Sequence, residues 1–295
     1  MGRDVLSVKL DIIFKKFFTE NTDMLQDFIA SILEIPLERV KNIKISNTEL
    51  APESASAKFS RLDLSMTVDD TLVNVEVQVN NDPNYIDRSM FYWSKLFTSE
   101  LKSGEEYGAL KTAITINILD FVLFPDRQSY HAEIVSRFKD TNELFSDKFH
   151  IHFFELKKLS KSFDVKNRKE LWLHFINADS KEEFDMIAGT NDKVMENAVN
   201  IIYDMSEDTR IRENARIREK ALHDEASQMK SAEARGEARG IAKGRAEGEA
   251  IGRAKGIAQG RAEGKAEATT EILKQMRLFG MSEEEIKRFE ERLKS

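Results

Sequence analysis

Residues 61–80, RLDLSMTVDDTLVNVEVQVN, alternate apolar and polar residues on either side of Asp69-Asp70. Leu62, Leu64, Met66 and Val68 fall on one face of the first half, with Arg61, Asp63, Ser65 and Thr67 on the other. In the second half Val73, Val75, Val77 and Val79 stand against Asn74, Glu76, Gln78 and Asn80. A period of two with β-branched enrichment is the primary strand signal, and short Asp side chains tolerate turn backbone. The stretch therefore predicts a β-hairpin turning at Asp69-Asp70. Counting outward from the turn pairs Val68 with Thr71, Met66 with Val73, Leu64 with Val75 and Asp63 with Glu76, and sets Arg61 opposite Gln78.

Side chains directly opposite in an antiparallel pair have Cβ atoms about 5 Å apart, and like charges there are destabilising. Asp63 and Glu76 in that position call for a cation between them. Mg²⁺ is held by one or two carboxylates plus water and substrate phosphate oxygens, which makes the pair a candidate metal site. A solvated polar sheet face with a chance pair of acids is the other reading. Spacing alone leaves both open.

At 295 residues the chain has room for one sizeable domain with appendages. It has no cysteine, which excludes disulfides, zinc-thiolate sites and thiol nucleophiles. No apolar run is long enough to span a bilayer and no signal-peptide core is visible, so a cytoplasmic protein is expected. A net charge of −7 argues against coating of nucleic acid by the whole chain, because nonspecific binding rests on clustered Lys and Arg.

Upstream of the hairpin, residues 4–34 carry Phe14, Phe17, Phe18, Leu25, Phe28, Ile29 and Ile32 at helical spacing, with Asn21-Thr22-Asp23 as a break or N-cap. Asp11 and Lys15, four apart, share one side of that helix; an ordinary surface ion pair is the simpler reading. Val40 to Leu50 reads as a strand. Downstream, residues 86–101 predict a helix whose buried stripe is Met90, Phe91, Trp93, Leu96, Phe97 and Leu101, and residues 111–124, 134–138 and 149–156 predict strands. His150 and His152 stand two apart on the last strand, but with no third ligand near in sequence they read as structural or exposed. The Lys and Arg residues between Lys157 and Lys169 read as a solvated charge run. Helices are expected across 167–205.

Beyond residue 206 large apolar residues nearly vanish. Glycine then recurs every fourth position from Gly236 to Gly264, with alanine two residues after each. In a helix, internal glycines cost about 1 kcal/mol each relative to alanine, or about 8 kcal/mol over this repeat. Close approach of a second helix along the small residues could recover part of that, as in small-xxx-small packing. A self-associating stalk and a flexible helical linker both fit. From Ala268 a small helical hairpin follows, with Gly280 as a stop and Ser282 to Glu285 as a capping box.

The order helix, strand, hairpin, helix, strand resembles the PD-(D/E)XK nuclease core, and the chain resembles the Rpn family of recombination-promoting nucleases, or putative transposases. Asp11-Ile12-Ile13-Phe14-Lys15, Arg61-Leu62-Asp63 and Glu76-Val77-Gln78 carry the likeness, helped by Arg88, Tyr92, Gly104 and Tyr107. It covers about residues 4–205. The resemblance implies an α/β fold with a central mixed sheet flanked by helices, followed by a helical region and the Gly/Ala tail. It implies a metal-dependent DNA endonuclease, with Asp63 and Glu76 holding Mg²⁺ (Mn²⁺ or Ca²⁺ as substitutes). Gln78 stands where the wider pattern has lysine and can hydrogen-bond without supplying charge. Lys15 is then the replacement cation and Asp11 an additional ligand of metal or water.

The expected division is a nuclease-like core over 1–160, a helical extension over 161–230, the repeat over 231–267 and the terminal hairpin over 268–295. DNA is the expected partner, in recombination or defence against foreign DNA, with a homo-oligomer formed through the repeat. The alternative function is a catalytically weak nucleic-acid-binding or assembly protein that oligomerises through the repeat.

Overall fold

The computed structural model describes residues 5–40, 42–45, 49–50, 60–61 and 64–294. In chain order the elements are α1 (Asp11–Glu20), α2 (Thr22–Ile32), β1 (Ile43–Ile45), β2 (Glu49–Leu50), β3 (Ser60–Arg61), β4 (Leu64–Val68) and β5 (Thr71–Gln78). Then come α3 (Tyr85–Thr98), β6 (Thr112–Leu119), β7 (His131–Arg137), β8 (Leu144–Glu155), α4 (Arg168–Asn177), α5 (Lys181–Ala188), α6 (Lys193–Glu207), α7 (Thr209–Leu278) and α8 (Glu283–Lys294). No described helix is long and apolar enough to cross a membrane.

β4 and β5 form the hairpin, with Asp69 at φ 50°, a left-handed turn position that Asp tolerates. Their register is Val68 opposite Thr71, Met66 opposite Val73 and Leu64 opposite Val75, as counting gives; Arg61, expected opposite Gln78, instead lies in β3 and pairs with Glu49 of β2. β6 adds parallel to β5 and β8 parallel to β6, while β1 and β7 close the edges antiparallel. The sheet is mixed, in the order β1-β4-β5-β6-β8-β7. This is the expected α/β arrangement. The segment read as one strand from Val40 to Leu50 is instead a 3₁₀ turn ending at Val40, with β1 and β2 beyond it.

Both faces of β5 are covered. Val73, Val75 and Val77 join Ile116, Ile118 and Phe154 in a core built with α1, α2 and α4–α6. Its centre is aromatic: Phe14, Phe17, Phe18, Phe28, Trp172, Phe175 and Phe184 are fully buried, with ring centroids such as Phe14–Phe18 at 4.7 Å, edge to face. The other face packs under α3, where Leu72, Ala113 and Leu96 cluster with Trp93 and Phe97.

α3 turns the Trp93, Leu96 and Phe97 part of its expected stripe to the sheet but not the Met90 and Phe91 part. Met90 and Phe91 are 52% and 40% exposed, whereas Tyr85, Ser89 and Leu96 are buried. The strands beneath the helix present Asn74, Glu76 and Asn117, so the buried stripe is the one with polar handles. Tyr85 Oη donates to Asn117 Oδ1 at 3.0 Å and Trp93 Nε1 to the Ala113 carbonyl at 2.9 Å.

The Lys and Arg residues that read as a solvated run are mostly anchored. Lys158 pairs with buried Glu155 at 2.6 Å, Lys157 with Asp120 at 2.9 Å and Lys169 with Glu34 at 2.8 Å. Arg168 bonds Asp27 and Asp192, and Trp172 Nε1 donates to Asp27 at 2.7 Å.

The chain forms two compact units, Met1–Glu225 and Ala226–Ser295. In the first, the opening turns of α7 belong to the core: Ala215 is buried, and Ile211 and Leu222 pack against it. In the second, the repeat is helical and open space surrounds each of its glycines. Gly280 at φ 78° ends α7, with Met281 N donating to Met276 O, as in a Schellman closure. Ser282 and Glu285 cap α8 reciprocally, and Ile286 is buried.

Candidate active site on the α3 face of the sheet

Alternation along β5 brings Asn74, Glu76 and Gln78 to the α3 side, and the parallel register with β6 sets Glu76 beside Asn117 and Asn74 beside Thr115. The face is not solvated: Asn74, Glu76, Thr115 and Asn117 are all at most 4% exposed. That removes the solvated-face reading for the described residues. A buried carboxylate without a compensating partner is strongly disfavoured, and Glu76 has partners. Asn74 Nδ2 donates to Glu76 Oε1 at 3.0 Å. Asn117 is held at both ends of its amide, donating to the His152 carbonyl at 3.0 Å and accepting from Tyr85.

Arg88, from α3, supplies the positive charge of this face. Its guanidinium lies 5.8 Å from the Tyr85 ring centroid and 5.2 Å from that of Tyr92. Burial works against its charge, but Tyr92, Tyr85 and Glu76 outweigh that and hold its pKa above the ordinary arginine value.

Asn74 Oδ1 and the Thr115 hydroxyl, on neighbouring strands, are buried with no hydrogen-bond partner among the described residues. Orphaned buried polar groups cost about 1–3 kcal/mol each. Neutral oxygens beside a carboxylate are the donor set of a hard cation and its waters, so these residues fit a divalent ion.

Gln78 is half-buried two residues beyond Glu76, its amide donating to the Asn80 carbonyl at 3.0 Å; Asn80 in turn donates to the Leu222 carbonyl of α7 at 3.2 Å. Asp11 lies on α1, which packs across the opposite face of β5. Its carboxylate is gripped by Arg218 of α7, with Nε 2.9 and 3.0 Å from the two oxygens and Nη2 at 2.8 Å. Lys15 is half-buried one turn further along α1. Asp63 lies outside the described residues.

A profile of the PD-(D/E)XK nuclease family transposases matches residues 8–232. The chain belongs to that family. The match spans the sheet, all the helices around it and the opening turns of α7, and so contains every residue of the candidate site. Neither a curated protein nor a solved structure matches the chain.

Sequence reading did not single out Asn74, Thr115 and Asn117, which line the candidate site of this transposase-family chain. Asn117 sits between Ile116 and Ile118 in a run that reads as plain hydrophobic strand. An amide at the centre of such a run, on a strand buried from both sides, was the available signal.

It also missed a partner for the two histidines. Glu133 of β7 lies directly across from His152, and its Oε1 is 3.0 Å from His150 Nδ1. Burial pushes His152 down to about 4, only partly opposed by Glu133. Burial raises the Glu133 carboxyl, but the surrounding histidines outweigh it and leave it below the usual carboxylate range.

Proposed function

We propose that this family member is a divalent-metal-dependent DNA endonuclease acting, in the cytoplasm, in recombination or in defence against foreign DNA. The observation that supports this most is the buried carboxylate of Glu76, set among Asn74, Thr115 and Asn117 and faced by Arg88, in a chain of a nuclease family.

In this reading Asp63 and Glu76 hold Mg²⁺, with Mn²⁺ or Ca²⁺ as substitutes. The described hairpin register runs to Leu64 opposite Val75; Asp63 opposite Glu76 is the expectation from counting the sequence alone. When bound, the ion polarises the scissile phosphate and lowers the pKa of an attacking water. Asn74 fixes the Glu76 carboxylate by its amide hydrogen bond. Gln78 orients a water or a phosphate oxygen through its amide, while Lys15, on the helix across the other face of β5, is left outside this site. Asp11, gripped by Arg218 on the helix across the other face of β5, is left outside this metal site. Arg88 keeps positive charge next to the carboxylate as phosphate enters.

Plasmid DNA incubated with the full chain and Mg²⁺ should be nicked or cut, and the products should vanish with Glu76→Gln and with Asp63→Ala. Equal activity in wild type and both variants would sink the assignment.

A second reading concerns assembly: the repeat helix carries exposed Ile241, Ile251 and Ile257 among its charges. Self-association through this helix predicts that deleting residues 231–267 lowers the mass measured by light scattering; an unchanged mass removes that role.

A further inference from the structure

On the opposite side of the sheet from Glu76, β7 and β8 bring three ligand atoms together: Glu133 Oε1, His150 Nδ1 and His152 Nε2, all within 4.8 Å of one another. We propose that they bind one transition-metal ion of the Zn²⁺ class, chemically distinct from the ion at the nuclease face.

Hydrogen-bond logic carries the argument. His150 Nε2 is 3.0 Å from the Asp147 carbonyl oxygen. A carbonyl only accepts, so that nitrogen carries the proton, and a neutral His150 presents the bare lone pair of Nδ1. That lone pair points at a carboxylate oxygen 3.0 Å away. Two acceptors do not face each other at that distance without a positive centre between them, either a second proton on the ring or a metal ion.

The other imidazole favours the metal. His152 is 8% exposed on its side chain, and its Nδ1 lies 3.1 Å from His131 Nε2. When His152 Nδ1 donates to His131, Nε2 is left bare toward the same carboxylate oxygen at 3.8 Å. The far nitrogen of each ring is then fixed by an outer partner, the usual arrangement around ligating histidines.

Dimensions agree. Zn–N and Zn–O bonds of about 2.0–2.2 Å in a tetrahedron put ligand atoms about 3.3–3.5 Å apart, and the two distances from Glu133 Oε1, 3.0 and 3.8 Å, bracket that. Imidazole nitrogens select Zn²⁺ and its neighbours over Mg²⁺.

The cluster lines a cavity of about 290 Å³ that also touches Arg39, Thr71 and Ile114. A fourth coordination position therefore has room for water. Of the cations nearby, Lys169 is paired with Glu34 at 2.8 Å, and Arg39 shares the cavity wall. Among the described residues β7 is an edge strand, held in the sheet by β8 alone, so an ion shared by the two strands pins that edge.

The test uses the metal-free full chain, purified without a polyhistidine tag. Co²⁺ titration should give the visible bands of a four-coordinate ion at one equivalent, displaced by Zn²⁺, and dialysis should leave one Zn²⁺ per chain. Glu76→Gln should keep that site. His150→Gln and Glu133→Gln should weaken it at least tenfold while Mg²⁺-dependent cleavage stays as in wild type. Absence of saturable binding by the folded wild type would overturn the proposal and leave a protonated His150–Glu133 pair. Loss of the site in Glu76→Gln with retention in His150→Gln would overturn it too, by placing the ion at the nuclease face. Glu133 is 43% exposed on its side chain, so Glu133→Gln is the variant to read if His150→Gln misfolds.

Discussion

Replacing Asn117 by valine tests whether the polar layer beneath α3 is a connected unit. Asn117 is fully buried and makes one hydrogen bond from each end of its amide, at 3.0 Å to the His152 carbonyl and 3.0 Å from the Tyr85 hydroxyl. Valine keeps the strand propensity and roughly the volume but removes both hydrogen bonds. A buried group left unpaired costs about 1–3 kcal/mol. Two buried hydrogen bonds are lost together, so the expected loss is about 2–4 kcal/mol. Tyr85→Phe alone removes only the donor and should cost about 1–2 kcal/mol. In the double variant the shared Tyr85–Asn117 bond is lost only once. The combined loss should then fall short of the sum by about 1–2 kcal/mol, the coupling expected of residues in contact. Urea unfolding followed by tryptophan fluorescence is the assay, since the two tryptophans, Trp93 and Trp172, both report on the sheet and its helices. Losses that add within about 0.3 kcal/mol would refute the coupling, and a single Asn117→Val loss below about 0.5 kcal/mol would refute the burial argument itself.

Asp27 accepts from both Arg168 and the fully buried Trp172. Asp27→Ala should therefore cost about 2–4 kcal/mol in the same urea assay, with a red-shifted Trp172 emission. Met90→Gln, by contrast, should stay within about 0.5 kcal/mol of wild type, because the side chain faces water; a loss of core size would show that α3 packs the other way round. In the repeat, Gly248→Ala meets nothing within 4 Å and should stabilise the helix by about 1 kcal/mol. Far-UV circular dichroism melts should show that gain, and a decreased melting temperature would mean the glycine is needed for close packing.

The hairpin was legible because a two-residue turn and a period of two leave one register that keeps each face uniform. Glu76 and Gln78 follow from the same count. What pairs with them across the parallel strands did not, since the neighbour of Glu76 is 41 residues on, at Asn117, after an intervening helix whose length no local rule fixes. α3 misled for a related reason. Trp93, Leu96 and Phe97 pack on the sheet as expected, but Met90 and Phe91 give way to Tyr85 and Ser89 over a polar surface assembled from two strands. Glu133 was hidden from the histidine pair in the same way, by a cross-strand contact that spacing along one strand cannot reveal. Asp11 shows the converse: its four-residue spacing to Lys15 suggested a local pair, while its carboxylate is held by Arg218, 207 residues away.

The strict alternation along β5 also sets which length changes this chain can survive. Thr71 to Glu76 is an odd number of steps from the turn side of the hairpin to the carboxylate, with Val75 and Val77 on either side of it. Losing a single residue there would rotate the carboxylate into the phenylalanine-filled layer and hand a valine to the polar one. Losing two would restore both faces, merely sliding the acid along its own strand. Insertions and deletions in this hairpin should therefore be found in pairs or confined to the turn.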